Sequence, residues 1–106
     1  MSQDAIVVFV TAANRTEAEQ IGLTLVEKKL IACCNVIEPV FSIFHWQSRI
    51  HRENEVLLIL KSVLDRFDLI IKEVKKMHSY ETPEIIALPI IAGSEDYLSW
   101  IRKETN

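Results

Sequence analysis

The sequence predicts a mixed α/β (α+β) fold in which helices cover one face of a four-stranded sheet. Apolar, β-branched segments alternate with two segments of helical period, and a long two-stranded segment occupies the middle of the chain. Only two glycines and three prolines occur among the 106 residues, so the composition leaves no room for long linkers. Residues 1–106 are therefore expected to form a single domain.

The first strand and helix are marked by a change of hydrophobic period. Residues Ala5–Ala12 (AIVVFVTA) are continuously apolar, which is typical of a strand buried on both faces. Asn14 and Glu17 then form a capping-box pattern that opens a helix. This helix is expected to end near Leu30, and its apolar stripe comprises Ala18, Ile21, Gly22, Leu25, Val26 and Lys29.

A long β-hairpin is predicted in the middle of the chain, roughly from Ile31 to Lys61. Its first strand is rich in β-branched and aromatic residues and has no helical stripe. Pro39 cannot donate a ladder hydrogen bond, which indicates a bulge or an edge position. The turn is placed at Gln47 and Ser48, and the second strand returns through a buried VLLIL segment.

The second half of the chain repeats the helix–strand pattern. A helix is predicted over Arg66–Met77, and the polar, irregular segment HSYETP follows it. A last strand is predicted over Glu84–Ala92, and a short helix over Glu95–Lys103. The order β-α-β-β-α-β-α, with right-handed crossovers, predicts a ferredoxin-like βαββαβ sandwich with an extended central hairpin and a C-terminal helix.

The predicted hairpin is too long for a domain of this size. Its first strand would reach on the order of 50 Å when fully extended, whereas the radius of gyration of such a domain is about 13 Å. The distal part carries apolar side chains, and an exposed apolar edge favours aggregation unless a partner covers it. A closed homo-oligomer is therefore expected. The alternative is that Pro39 folds the hairpin back over its own sheet.

Composition and charge exclude several classes of partner. The chain is 49% hydrophobic and 25% charged, with a net charge of -3 and no cluster of cations, which disfavours nucleic-acid binding. No apolar run is long enough to cross a membrane, and the N-terminus does not resemble a signal peptide. The two cysteines, Cys33 and Cys34, are adjacent and cannot bridge without severe strain. Free thiols favour a cytoplasmic location.

Two groups of residues are candidates for chemistry. His78, Tyr80, Glu81 and Glu84 could bind a divalent metal or act as general acids and bases. Alternatively, they cap the second helix and form hydrogen bonds at a subunit contact. Lys61 could face an anion in a cleft or simply extend its amine to solvent. A soft copper site would need thiolate or thioether ligands; the nearby candidates are Cys33, Cys34 and Met77, and none has metal-ligand spacing such as Cys-x-x-Cys.

Several separate stretches, in the right order, carry a family resemblance. They are VTAANRTEAEQIG, LVEKKLIACCN, FHWQSRI, EVLLILKS, HSYETPEI and DYLSWI. Through them the sequence resembles the CutA family of divalent-cation tolerance proteins over nearly its whole length. The resemblance implies a cytoplasmic homotrimer in which long hairpins cross between subunits. It also implies a link to copper and other divalent cations and no established enzymatic reaction.

The resemblance can be carried onto individual residues. The family's recurring positions fall on Cys33, Trp46, Lys61, His78, Tyr80, Pro83, Glu84 and Trp100. Ser79 stands where the family has a proline, and Ser48 stands where a glycine is common in the hairpin turn. Val10 and Met77 stand at two of the positions where the family's proposed copper ligands lie.

Two functional hypotheses follow. The first is a homotrimer that binds copper or another divalent cation, with no nucleic-acid or membrane partner and no catalytic residues; its metal ligands are His78, Glu81 and Cys33. Its trimer interface comprises Phe41, Ile43, Phe44 and Trp46. The second is a regulatory or scaffolding trimer that binds a small anionic ligand or a protein partner. Its inter-subunit clefts are formed by Lys61, Tyr80, Glu84 and Trp100.

Overall fold

The computed structural model describes residues 4–106 and contains the predicted order of elements. The strands are β1 (Ala5–Ala12), β2 (Cys33–Trp46), β3 (Arg49–Val63) and β4 (Ile85–Pro89). The helices are α1 (Arg15–Glu27), α2 (Phe67–Met77) and α3 (Glu95–Glu104). No helix in the described range is long and apolar enough to cross a membrane.

The four strands form one antiparallel sheet in the order β2-β3-β1-β4. Strands β1 and β3 lie at the centre, and their pairing runs from Ala5 opposite Val63 to Ala12 opposite Val56. This order, with β2 and β3 joined as a hairpin, is that of the ferredoxin-like fold and confirms the predicted fold class.

The main core lies between the helices and one face of the sheet. Alternate residues of β1 point into it, because successive side chains of a strand face opposite sides. They pack against α1, α2 and the centre of β3, and the buried residues include Ile6, Val8, Val10, Ile21, Leu25, Leu58, Leu60, Ile70 and Val74. The other face of β1 is only half-buried in the single chain. The prediction that both faces of β1 are buried is therefore met on one face only.

The ends of α1 follow from its capping chemistry. The Asn14 side chain accepts a hydrogen bond from the Glu17 amide at 2.9 Å, and the Glu17 carboxylate accepts one from the Ala13 amide at 3.0 Å. These contacts confirm the predicted helix start. The helix ends at Glu27, shortly before the predicted boundary, and Lys29 takes a positive φ of 58°.

The central hairpin protrudes from the sheet instead of folding back over it. Strand β1 pairs only with residues 56–63 of β3, so the distal part of the hairpin is a two-stranded ribbon. The molecule is accordingly elongated, with principal extents of 44 × 25 × 24 Å. The register shifts between Ile37 and Val40, which confirms the bulge predicted at Pro39.

The bounds of α2 and β4 differ from those predicted. A 3₁₀ turn, Leu64–Arg66, precedes α2, so Asp65 lies within that turn and the helix begins at Phe67. Strand β4 is shorter than predicted and ends at Pro89. The next amide, that of Ile90, still donates a hydrogen bond to the Ala5 carbonyl, but the chain then leaves the sheet towards α3.

Candidate functional site

A groove of about 920 Å³ lies between the distal hairpin and the segment that follows α2. We call it the acidic groove, because four glutamates line it: Glu53, Glu55, Glu81 and Glu84. Aromatic side chains of the hairpin, Phe44 and Trp46, form part of its wall. The groove therefore combines apolar walls with a concentration of negative charge, which attracts cations and repels anions.

His78 fixes the segment that follows α2. Its amide continues the helix by donating to the Val74 carbonyl at 2.9 Å. Its ring Nε2 lies 2.6 Å from the Thr11 carbonyl oxygen, and its Nδ1 accepts a hydrogen bond from the Tyr80 amide at 3.0 Å. A carbonyl can only accept, so Nε2 is the donor in this contact and Nδ1 is the acceptor for the Tyr80 amide. Both ring nitrogens are thus engaged by the chain itself.

The Glu17 carboxylate joins the start of α1 to the same segment. Its two oxygens accept hydrogen bonds from the amides of Ala13 and Ser79, at 3.0 and 2.8 Å. Burial by itself raises the pKa of Glu17, but the hydrogen bonds from Ala13 and Ser79 outweigh it, so the pKa lies below its usual value. Glu17 therefore holds the segment in place as an ionised group.

Tyr80 and Glu55 form the most buried polar contact of the groove. The Tyr80 hydroxyl donates to Glu55 Oε2 at 2.6 Å, and Glu55 is only 7% exposed. Burial, followed by the hydrogen bond and the charge of Glu55, raises the pKa of Tyr80 far above its usual value. Tyr80 is thus a hydrogen-bond donor at every physiological pH. The sequence does not single out Glu55; its only signal is a charged residue directly before the buried VLLIL segment.

Glu84 shows the effect of crowding carboxylates in the groove. Burial raises its pKa, and the nearby Glu55 charge raises it further. Even so, no group of three or more His, Cys, Asp or Glu residues is close enough to hold a metal ion within residues 4–106 of one chain. A metal bound in this groove would need a ligand from a second subunit or water.

A second polar cluster lies towards the other end of the sheet, and we call it the donor cluster. Its members come from β2, β3 and α3, and they are Cys33, Asn35, Lys61 and Tyr97. The Lys61 ammonium donates to Asn35 Oδ1 and lies 3.9 Å from Cys33 Sγ. Burial raises the pKa of Tyr97, and the neighbouring Cys33 adds to the rise. The Tyr97 ring lies 5.5 Å from that of Trp100.

The structure therefore divides the predicted site residues between two places. Tyr80, Glu81 and Glu84 line the acidic groove, and His78 accepts a hydrogen bond from the Tyr80 amide. Cys33, Lys61 and Trp100 lie at the donor cluster. In the register, Cys33 pairs with Lys61, whereas Thr11, the partner of His78, pairs with Leu57. Four residues of strand correspond to roughly 13 Å, so neither the metal ligands nor the cleft residues meet within one chain.

The second cysteine is a packing residue. Cys34 points to the helix-covered face, and a Cβ atom placed on Gly22 of α1 would lie 2.9 Å from Cys34 Sγ. Burial, and then the adjacent Cys33, raises the pKa of the Cys34 thiol to about 11. Cys34 is therefore a protonated thiol against which α1 packs closely.

Apolar surface is exposed on the hairpin and on the open face of the sheet. On the hairpin, Phe41, Ile43 and Ile50 are each at least 60% exposed, and Phe44 and Trp46 are each 38% exposed. On the face of the sheet without helices, Ile86 and Leu88 of β4 are about half exposed. Exposed apolar side chains in such numbers are typical of a protein interface.

Fold and surface together define a small ferredoxin-like protein with a projecting hairpin, and comparison with known proteins identifies its family. The chain belongs to the family of the CutA1 divalent ion tolerance protein, whose model matches residues 6–104. This confirms the resemblance drawn from the sequence motifs.

Individual relatives agree with this assignment. The divalent-cation tolerance protein CutA of Thermus thermophilus is 38% identical over 99 residues, which cover 93% of this chain and 96% of that protein. The corresponding protein of Archaeoglobus fulgidus is 43% identical over 94 residues, covering 89% and 91%. The chloroplastic protein CutA of Arabidopsis thaliana is 36% identical over 95% of this chain, but the chain spans only 56% of its length.

Solved structures of the family have the same fold. The divalent cation tolerance protein of Thermus thermophilus matches with a TM-score of 0.94 and 37% identity, covering 96% of this chain and 99% of that one. The periplasmic divalent cation tolerance protein CutA of Archaeoglobus fulgidus matches with a TM-score of 0.93 and 39% identity, with the same coverage.

Proposed function

We propose that this protein is a cytoplasmic homotrimer that binds copper or another divalent cation and contributes to cation tolerance without catalysing a reaction. The observation that carries the proposal is the acidic groove, in which four glutamates line a single concave surface. Family membership supports the link to divalent cations, since the family is named for tolerance of them.

The trimer is supported by the distal hairpin. A two-stranded ribbon is only marginally stable by itself in water, and this one exposes Phe41, Ile43 and Ile50. Strand β2 is also an edge strand over its whole length, so its outer backbone groups are open to pairing. A closed ring of three copies, each hairpin docking on a neighbour, would cover both features. In that arrangement the contact residues are Phe41, Ile43, Phe44 and Trp46.

Light scattering coupled to size-exclusion chromatography tests the trimer. The expected mass is three times the 12.2 kDa of the chain. Ile43→Glu would place a charge in the interface and is expected to give a smaller species. Leu23→Glu is the matched control, because Leu23 is similarly exposed but lies on α1. A monomeric parent protein, or equal masses for the Ile43 variant and the parent, would contradict the proposed interface.

The proposed metal ligands are His78, Glu81 and Cys33. Imidazole and thiolate suit copper, and a carboxylate completes a mixed set. Since Cys33 lies at the other end of the sheet from His78, the set can close only between two subunits. A metal at His78 Nδ1 must also displace the Tyr80 amide, so binding is expected to rearrange the segment that includes Glu81.

Calorimetric titration with Cu²⁺ tests these ligands. His78→Ala, Glu81→Gln and Cys33→Ser are each expected to weaken binding at least tenfold, which corresponds to about 1.4 kcal/mol. His45→Ala is the matched control, because His45 lies exposed near the hairpin turn. If His78→Ala binds copper as well as the parent does, His78 is not a ligand. A response to Mg²⁺ but not to Cu²⁺ would identify a purely carboxylate site.

A second candidate function is a regulatory or scaffolding trimer whose clefts bind a small anionic ligand or a protein partner. Lys61 favours it, because this ammonium has no carboxylate partner among the described residues. A cleft that unites Lys61 and Trp100 with Tyr80 and Glu84 must draw them from two subunits. A thermal-shift screen with anions would show raised stability for a ligand of the folded state. The absence of any shift would count against this candidate.

The cytoplasmic location rests on the two free thiols, which suit a reducing compartment. Fractionation of cells that express the untagged protein tests it, with a periplasmic and a cytoplasmic marker run in parallel. Recovery with the periplasmic marker would contradict the proposal.

A further inference from the structure

Lys61 occupies an unusual position for a lysine. It lies half-buried on the face of the sheet that the helices leave open, directly between Cys33 and Val7 in the register. Its ammonium donates to Asn35 Oδ1 and contacts Cys33 Sγ, both neutral groups. In the described part of the chain, Arg15, Lys28 and Lys76 form ion pairs with glutamates, whereas Lys61 forms none.

The other members of the donor cluster are also able to donate hydrogen bonds. Asn35 uses its carbonyl oxygen to accept from Lys61, which leaves its amide NH₂ group free to point outward. The Cys33 thiol donates to the same Asn35 oxygen at 3.8 Å, and the Tyr97 hydroxyl is hydrogen-bonded to Cys33. Both contacts involve sulfur, a weak hydrogen-bonding partner, so a bound anion can take over these protons. A positive charge surrounded by neutral donors from three separate elements is the arrangement that an oxyanion needs, because charge-assisted hydrogen bonds are the strong ones.

The acidic groove provides a contrast within the same molecule. There the tyrosine, Tyr80, donates to a buried carboxylate, and three further glutamates line the groove. At the donor cluster, the corresponding tyrosine, Tyr97, has Cys33 as its polar neighbour, and the Lys61 ammonium contacts that cysteine. The two ends of the sheet thus offer opposite electrostatic environments to a ligand.

We propose that the donor cluster is a binding site for a small oxyanion, a phosphate or a carboxylate, held by the Lys61 ammonium and the neighbouring side-chain donors. The site uses residues of one chain. It deepens the second candidate function, on which it rests only for the negative charge of the ligand. It shares one residue, Cys33, with the proposed metal ligands.

The Cys33 thiol provides a direct probe of this site. Iodoacetate and iodoacetamide alkylate the same thiolate, but only iodoacetate carries a carboxylate. The ratio of their rates at Cys33 therefore reports attraction of an anion and is independent of how much thiolate is present. Peptide mass spectrometry separates Cys33 from Cys34, which serves as an internal reference because its thiol is packed against α1.

Lys61→Gln is expected to lower the iodoacetate-to-iodoacetamide ratio at Cys33 at least threefold, and Lys61→Arg is expected to keep it. Lys72→Gln removes a charge from an exposed position of α2 and is the control for net charge. Sodium phosphate and sodium acetate, added separately at constant ionic strength, should each slow alkylation by iodoacetate in a saturable way; the more effective of the two identifies the preferred oxyanion.

Three results would overturn the proposal. They are equal ratios for Lys61→Gln and Lys72→Gln, no reaction of Cys33 with either reagent, and no protection by either anion. If circular dichroism shows that Lys61→Gln does not fold, Tyr97→Phe replaces it. In the Tyr97→Phe variant, the apparent affinity for the protecting anion should be severalfold lower than in the parent protein. A thermal shift with some other anion, combined with an unchanged alkylation ratio, would reject the donor cluster while the second candidate function still held.

Discussion

Removing the Tyr80 hydroxyl is the sharpest test of how the acidic groove is held together. Tyr80→Phe leaves the ring in place and deletes the 2.6 Å hydrogen bond to Glu55, which is only 7% exposed. Hydrogen bonds to charged groups contribute about 1.5–3 kcal/mol, and a buried carboxylate left without its donor is at the upper end of that range. We expect a loss of about 2–3 kcal/mol in the free energy of unfolding.

Urea denaturation at one fixed protein concentration measures this loss, because the stability of an oligomer depends on concentration. With a slope of roughly 2 kcal/mol per molar urea, the midpoint should fall by about 1–1.5 M. Tyr97→Phe is the matched control, since Tyr97 is 43% exposed and has no carboxylate beside it; its effect should stay within about 0.5 kcal/mol.

A double-mutant cycle separates the contact from its surroundings. Tyr80→Phe and Glu55→Ala, measured singly and together, should give a coupling free energy of about 1.5–3 kcal/mol. Glu55→Ala should also lower the pKa of Tyr80, which is followed by ultraviolet absorbance in the Tyr97→Phe background, because the raising charge is gone. A coupling below about 0.5 kcal/mol would refute the view that this bond organises the groove.

Three further predictions concern the rest of the fold. Ser48→Gly should raise stability by about 1 kcal/mol in urea denaturation, since Ser48 has a positive φ of 62° and glycine alone adopts it without strain; no gain would refute the turn geometry. Gly22→Ala should destabilise by about 1–3 kcal/mol through contact with Cys34, and Cys34→Ala should remove that penalty; equal penalties in both backgrounds would show that another contact is responsible. Hydrogen bonds from Lys28 and Lys76 lower the pKa of Glu73 to about 2. The stability that these contacts contribute should therefore be complete above the usual pKa near 4.5 and be lost as the pH falls towards 2. The acid denaturation profile of Glu73→Gln should be flatter over that range, and an unchanged profile would argue against these ion pairs.

Local sequence patterns were sufficient to predict most of the secondary structure. The capping box at Asn14 and Glu17 located the start of α1, and the missing amide N–H of Pro39 located the bulge. The start of α2 and the bounds of β4 were less accurate. The 3₁₀ turn before α2, for example, is held by distant residues, since the Leu64 amide donates to the Asp4 carbonyl and Arg66 to the Thr105 carbonyl. Local propensity contains no information about those contacts.

The candidate sites, too, could be predicted from the sequence only in part. The sequence indicated His78, Tyr80, Glu81 and Glu84 by their proximity along the chain, and the structure indeed gathers them at one groove. It could not indicate Glu55, which comes from a strand 25 residues away and is tied to Tyr80 only by the fold. Nor could it show that Cys33 and Lys61 lie far from His78, because the register between strands decides that separation.

By itself, then, the sequence determined the order of strands and helices, the bulge, the hairpin turn and the family, since these depend on residues close together in the chain or on recurring motifs. Only the tertiary structure decided which polar groups share a surface. It placed the glutamates around one groove and the donors at the other end of the sheet, because strand pairing brings together residues that the chain separates.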